Sequence, residues 1–261
     1  MNNIISINNL DHFYNKKIIF KNFSIDIEDG SWTTIVGPNS SGKTTLVYLL
    51  AGLIKNNNIK YYNVKDRKKD IGILFDNPRN NFITNTVKDE LLLSFNYSNS
   101  SKKDFDDKIE DIIDLLKLEN LLYKDPMTLS GGELQRVSLG LILIYNPKIL
   151  IMDDAFSMIS NKDKQDLIRV IKRYKKDNNM TIINFTDDLE ESFGTNRLVI
   201  INKGKIVIDG KPKDVMKNDT MINRLGIEIP FIVDLSSKLK LYGLIDDIYF
   251  DEETLVNDIW K

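Results

Sequence analysis

The chain has 261 residues, 42% hydrophobic and 28% charged, an ordinary globular composition with material for one or two cored domains. A net charge of −2 and a pI near 5.6 argue against a strong electrostatic pull on nucleic acid or an anionic membrane. There is no cysteine and one histidine, His12, which excludes disulfides, thiolate chemistry and a multi-histidine metal centre.

The first residues, MNNIISINNLDHF, have no basic segment leading into a long apolar stretch, so no signal peptide is expected. The apolar runs at 139–145, 148–152 and 197–201 are far shorter than the ~18 residues that span a bilayer. A soluble, cytoplasmic chain is the expectation, and solubility leaves docking on a membrane protein open.

In chain order, β-branched runs fall at 4–7, 32–37, 70–75, 147–154, 180–188 and 197–210. Several are apolar almost throughout, as strands buried on both faces are. The last contains Asn202-Lys203-Gly204, a hairpin signal. Helices are expected at 44–53, 102–118, 132–144 and 162–175, the second with Phe105, Ile109, Ile112, Ile113 and Leu116 on one face. Residues 56–58 and 97–101 read as surface loops. Strands alternating with helices predict an α/β fold with a mostly parallel sheet. Near residue 220 the pattern changes to a short, partly helical tail.

Gly37-Pro38-Asn39-Ser40-Ser41-Gly42-Lys43-Thr44-Thr45 fits the phosphate-loop motif G-x-x-x-x-G-K-[ST] between a strand and a helix. Loop N–H groups and the helix N-terminus bind phosphate oxygens, Lys43 neutralises the outer phosphates, and the Thr44 hydroxyl ligates Mg2+. Downstream, the apolar run 149–152 ends in Asp153 and Asp154. Asp153 suits a Mg2+-holding carboxylate at the carboxyl edge of a parallel sheet, although an acid pair after a strand also fits a plain turn.

Leu129-Ser130-Gly131-Gly132-Glu133-Leu134-Gln135-Arg136 stands between these two motifs and resembles the LSGGQ signature of ATP-binding-cassette (ABC) ATPases. The resemblance covers roughly residues 4–222 and implies a P-loop NTPase fold with a mixed sheet core and a helical subdomain at about 77–145. It implies that Ser130, Gly131, Gly132 and Glu133 act on ATP bound to the other subunit of a head-to-tail dimer. Tyr14 takes the place of the adenine-stacking aromatic, Asp76-Asn77-Pro78 the Q-loop, Ser157-Met158-Ile159-Ser160 the D-loop and Thr186-Asp187-Asp188-Leu189 the switch loop. Residues 77–82, the Ser-Met pair at 157–158 and the tail at 223–261 are similar to energy-coupling-factor (ECF) importer ATPases. That implies partners: a second ATPase, paralogue or copy, a transmembrane coupling protein and a substrate-binding membrane subunit for a vitamin or metal ion. It also implies ATP and Mg2+ as cofactors, no nucleic acid, and a peripheral place at the cytoplasmic face of the membrane.

In this alignment of motifs the chain departs from the family near the γ-phosphate. Asp76 replaces the Q-loop glutamine, Asp154 the glutamate that activates water, Asp187 the switch histidine, Ser160 the D-loop aspartate and Ser40 a loop glycine. The last is mild if Ser40 has negative φ. Asp76, Asp154 and Asp187 are therefore the altered hydrolytic positions, and Thr44, Asp76 and Asp153 the metal positions. The combination implies an ATP-binding importer subunit that is the hydrolysis-impaired half of an asymmetric heterodimer. A nucleotide-sensing regulatory module is the alternative. A nucleic-acid-associated ABC ATPase fits worse, because the 110 residues from Lys43 to Asp153 hold no sustained heptad. Residues 77–90 would receive a coupling helix, and Leu91–Phe95 either joins that groove or fills the subdomain core. Leu225, Ile229, Phe231, Ile232 and Leu235 of the tail either meet the partner ATPase or close the chain's own core.

Overall fold

The computed structural model describes residues 2–14, 16–98 and 102–260, and the side chains within these except those of 95–98 and 102. In chain order the elements are β1 (Asn3–Tyr14), β2 (Lys17–Glu28), β3 (Trp32–Val36), α1 (Lys43–Leu50), β4 (Ile59–Tyr61), α2 (Arg67–Asp70), β5 (Ile71–Phe75), α3 (Val87–Ser98), α4 (Lys102–Leu116) and α5 (Gly131–Leu143). They continue as β6 (Ile149–Asp153), α6 (Asn161–Asn178), β7 (Thr181–Thr186), β8 (Arg197–Asn202), β9 (Lys205–Gly210), α7 (Pro212–Met216), α8 (Asp219–Arg224), α9 (Phe231–Leu241) and α10 (Glu252–Ile259).

Two sheets form. One is mixed, in the order β5-β6-β7-β3-β8-β9, parallel except for β9. The other is antiparallel, in the order β2-β1-β4, and its β2 and β4 were not among the expected strands. The parallel strands are apolar on both faces for a clear reason. In β6, Ile149 and Ile151 face α1 and the antiparallel sheet, while Leu150 and Met152 face the helices α3–α6. In β8, Val199 and Ile201 join the first of these cores, while Leu198 and Ile200 meet the C-terminal helices. Burial on both sides requires a continuous apolar run.

Helix α1 is held between the two sheets by Leu46, Val47, Leu49 and Leu50, all fully buried. Each such side chain contributes about 1.5–3 kcal/mol when removed from water. This fixes the start of α1 at the carboxyl end of the large sheet.

Several local expectations change. Tyr97 and Ser98 lie in α3 rather than a loop, and Asn99–Ser101 fall outside the described residues. Helix α4 stops at Leu116, where Lys117 turns to φ 56°. The C-terminal tail carries two helices, α9 and α10, and shares one core with the large sheet: Ile227, Ile232, Val233, Ile245, Ile248 and Leu255 pack with Val36, Leu198 and Ile200. Leu225, Ile229 and Leu235 are half-buried against the same core, whereas Phe231 is 72% exposed.

Candidate functional site

Four neighbouring strands deliver the site. Thr186 pairs with Val36, and Asp153 pairs with both Phe75 and Phe185. The loops leaving β3, β5, β6 and β7 therefore start from one edge, and they carry residues 37–45, Asp76, Asp154 and Asp187. That edge is where ligands bind in open α/β sheets.

The loop 37–45 is shaped by short-range contacts. Gly42 caps α1 with φ 110° and no side-chain cap, so the first N–H groups of the helix are not taken by a capping side chain. A Cβ at Gly42 would stand 2.9 Å from the Phe20 ring, so both backbone angle and space require glycine. Ser40 has φ 65°, which corrects the expectation of a mild replacement: serine here occupies the left-handed region that glycine occupies at little cost. The Ser41 carbonyl accepts from Gly204 N at 2.9 Å, so the turn between β8 and β9 buttresses the loop. Lys43 is buried, and its Nζ donates to the Gly37 carbonyl at 2.6 Å. Thr44 and Asn39 are exposed, while Pro38 and Thr45 are half-buried. Tyr14, at the end of β1, is 48% exposed with its ring edge-on to His12 at 5.5 Å. His12 pairs across the strands with Phe20, the residue that touches Gly42, which carries the Tyr14 end of the hairpin toward the loop.

Lys43 acts on two buried carboxylates, Asp153 and Asp154. Burial first, then Asp154 and Asp76, push the Asp153 carboxyl up to about 6, with Lys43 opposing. Burial also raises Asp154, again against Lys43, with Asp187 and Asp76 adding to the rise. Asp153 is 8% exposed, and its Oδ1 is buried without a hydrogen-bond partner among the described residues. Such an orphaned acceptor suits a hard cation. Among the described residues, no three His, Cys, Asp or Glu side chains converge closely enough to hold a metal ion unaided. Asp76 accepts from Asn77 N at 2.7 Å. Asp154 stands at φ 48° and donates its N–H to the Phe185 carbonyl at 2.9 Å.

The switch loop rests on contacts that sequence reasoning missed. Lys164 of α6 pairs with Asp188 and, at 3.2 Å, with Glu191, which accepts from Asn184 at 2.8 Å. Asp187 itself is exposed. A cleft of about 600 Å3 runs between Gly37, Pro38, Asn39, Asp187 and the tail segment 226–231. A larger one, about 760 Å3, opens between α4 and α6, lined by none of the predicted site residues.

The signature segment starts α5 with a full capping box. Ser130 N donates to Glu133 at 2.9 Å, and Ser130 Oγ accepts from Glu133 N at 3.3 Å. Gly132 packs so closely on α6 that a Cβ would lie 2.5 Å from the Asp163 carboxylate. Ser160 caps α6, a task aspartate performs equally well. Gln135, Arg79 and Arg136, given no role from sequence, link these loops. Their partners lie 27 to 60 residues away, so no local signal marks them.

The profile of the ABC transporter family matches residues 20–157. An energy-coupling factor transporter ATP-binding protein EcfA1 of Ligilactobacillus salivarius is 34% identical over 98% of this chain and 95% of its own. One from Mycoplasmopsis synoviae is 33% identical over 99% and 100%, and the EcfA of Pediococcus pentosaceus 33% over 94% and 91%. Among solved structures, cbiO1 of Clostridium perfringens, part of the ABC transporter complex cbiONQ, superposes with TM-score 0.76 at 22% identity over 88% of this chain and 97% of that one. An ABC transporter cassette in its ADP conformation gives TM-score 0.74 at 22% identity over 88% and 100%. These two show the same fold. The chain belongs to the ABC transporter family, among the energy-coupling factor ATP-binding proteins.

Proposed function

We propose that the chain is the ATP-binding subunit of an ECF-type importer for a vitamin or metal ion, and the weakly hydrolysing half of an asymmetric ATPase pair. The observation carrying the asymmetry is the charge balance of its own site. Lys43 opposes the buried Asp153 and Asp154, while Asp76 acts on both of these acids and Asp187 on Asp154 with the same sign of charge, and an acid stands where the switch should donate to the γ-phosphate.

Binding rests on intact parts. The N–H groups of residues 40–45 face phosphate oxygens at the start of α1. Lys43 exchanges its bond to Gly37 for a charge-assisted one. Tyr14 offers its exposed ring to adenine. Thr44, Asp153 and Asp76 would hold Mg2+, which supplies charge screening to the phosphates. Hydrolysis rests on altered parts. Asp154 is one methylene shorter than glutamate and sits back from the attacking water, where general-base effects of ~10²–10⁴-fold need hydrogen-bond reach. Asp187, when ionised, repels the γ-phosphate.

The signature serves the partner. The capping box takes the Ser130 N–H and uses the Ser130 Oγ as an acceptor; the Gly131 and Gly132 N–H groups and the Ser130 O–H remain to donate to a γ-phosphate across the interface. The coupling protein docks over Asp76 and residues 77–90, where Ile83 is 82% exposed. Leu91 belongs to the subdomain core; the Phe95 side chain lies outside those described. The tail divides its apolar residues: Ile232 and its neighbours close the chain's own core, while exposed Leu241, Tyr242, Leu244 and Trp260 meet the second ATPase. On this reading the chain sits peripherally at the cytoplasmic membrane face. Separately, no helix among the described residues is long and apolar enough to cross a membrane.

The test compares phosphate release by the purified chain with that of its pair with the second ATPase. Ser130→Arg should lower turnover of the pair far more than Asp154→Asn. Equal effects, or robust turnover by this chain alone that survives Asp154→Asn, would overturn the asymmetry.

A further inference from the structure

Gln135 is 1% exposed on the inner side of α5. Its Nε2 donates to the Phe75 carbonyl at 2.6 Å and to the Asp76 carbonyl at 3.1 Å. These are the last carbonyl of β5 and the first of the loop that carries the Asp76 carboxylate. Its Oε1 is buried without a partner among the described residues, so donation is what the side chain contributes there. A second tie runs in the opposite direction. The Arg79 guanidinium donates to the carbonyls of Met127 at 2.8 Å and Leu129 at 3.1 Å, just before Ser130. The next residue on α5, Arg136, pairs with Asp163 at 3.0 Å, and Asp163 accepts from the Ser160 hydroxyl that caps α6.

Segment 75–79 is thus stitched to segment 127–135 at both ends by side chain to backbone bonds, which hold main chain rather than a movable side chain. The Gln135 pair is the more buried of the two, where a lost donor costs most because two carbonyls are left unmet.

We propose that Gln135 is a positioning residue: its amide locks the loop carrying Asp76 to the signature helix, so that nucleotide in this chain's own site orders the segment offered to the partner. This rests on the functional reading above for which nucleotide each segment serves. Gln135 touches no phosphate; it acts through Asp76 on one side and Ser130 on the other.

Hydrogen exchange of the full chain, read by mass spectrometry with and without ATP and Mg2+, tests it. In the wild type ATP should slow exchange in 37–45, in 75–82 and in 129–136 together. In Gln135→Leu the protection of 37–45 should persist, while 75–82 should exchange about tenfold faster and 129–136 should no longer respond to ATP. Gln135→Glu keeps the shape and loses the donor, so it should match Leu. Should Leu unfold the chain, Arg79→Ala, cutting the exposed tie, should reproduce a weaker version of the same uncoupling. The proposal is overturned if 129–136 respond to ATP as in the wild type in both Gln135 variants, or if exchange rises evenly over all peptides, which marks a merely structural role. If ATP fails to protect 37–45 in the wild type, the nucleotide-binding reading falls instead, and faster exchange at 75–82 alone still reports the Gln135 tie.

Discussion

Lys43 Nζ and the Gly37 carbonyl are joined by a 2.6 Å hydrogen bond that spans the phosphate loop from its last part to its first. The same ammonium is the cation that opposes the raised carboxyls of Asp153 and Asp154. It therefore shapes the loop and balances the acids behind it. Lys43→Ala should weaken ATP binding about 10–100-fold, the value of one charge-assisted contact, as calorimetric titration would show. The variant should remain folded by circular dichroism, since the α1 core of Leu46, Val47, Leu49 and Leu50 is untouched.

The Asp153 carboxyl, raised from 3.8 to about 6 by burial and its acidic neighbours, gives stability a pH dependence of definite sign. Between about pH 4 and 6 the native carboxyl keeps a proton that the unfolded chain has released, so stability falls as pH rises through that window. Asp153→Asn removes the buried charge. Measured without nucleotide at about pH 7.5, it should be about 1–2 kcal/mol more stable than the wild type, with a flatter urea-midpoint profile over the same range. The gain should vanish with ATP and Mg2+ present, because the variant loses a ligand for the ion.

Restoring a donor at the switch is the direct test of the altered γ-phosphate edge. Asp187→His removes one of the acids that raise Asp154 and supplies an N–H. Phosphate release by the chain alone should rise about tenfold. Asp187→Asn, which removes charge and adds a weaker donor, should fall between the two.

The two kinds of apolar residue in the tail predict opposite outcomes. Leu255 is 3% exposed in the core shared with Leu198 and Ile200, so Leu255→Ala should cost about 2–4 kcal/mol in chemical denaturation. Trp260 is 83% exposed. Trp260→Ala should leave the chain's own stability within about 0.5 kcal/mol, yet weaken its pairing with the second ATPase in sedimentation experiments.

The large sheet was legible because strands buried on both faces advertise themselves as apolar runs. Strand β2 was not. Phe23, Ile25 and Ile27 alternate with exposed residues, but Phe20, also buried, stands three residues before Phe23, so the alternation is regular only over a short stretch and no continuous apolar run marks the strand. The phosphate loop and the signature stand out as strings because backbone turns require glycine at set positions, and Asp153 stands out because it ends an apolar strand. Lys164, Gln135 and Arg79 were not, because each matters through partners that only the fold brings near. Ser40 shows the limit of reading a substitution without its backbone angle, since its φ of 65° could not be inferred from its neighbours.

The left-handed backbone of Asp154, at φ 48°, bears on any route back to full hydrolysis. Aspartate and asparagine tolerate that conformation better than longer side chains do. Replacing Asp154 by glutamate would return the missing methylene while placing a less tolerant residue at a strained turn, tied through its N–H to Phe185. Reach and backbone comfort are in opposition at this position. A chain released from selection on its own turnover, but still selected to hold its partner's loop in place, would settle on the shorter acid and would not readily recross to the longer one by a single change.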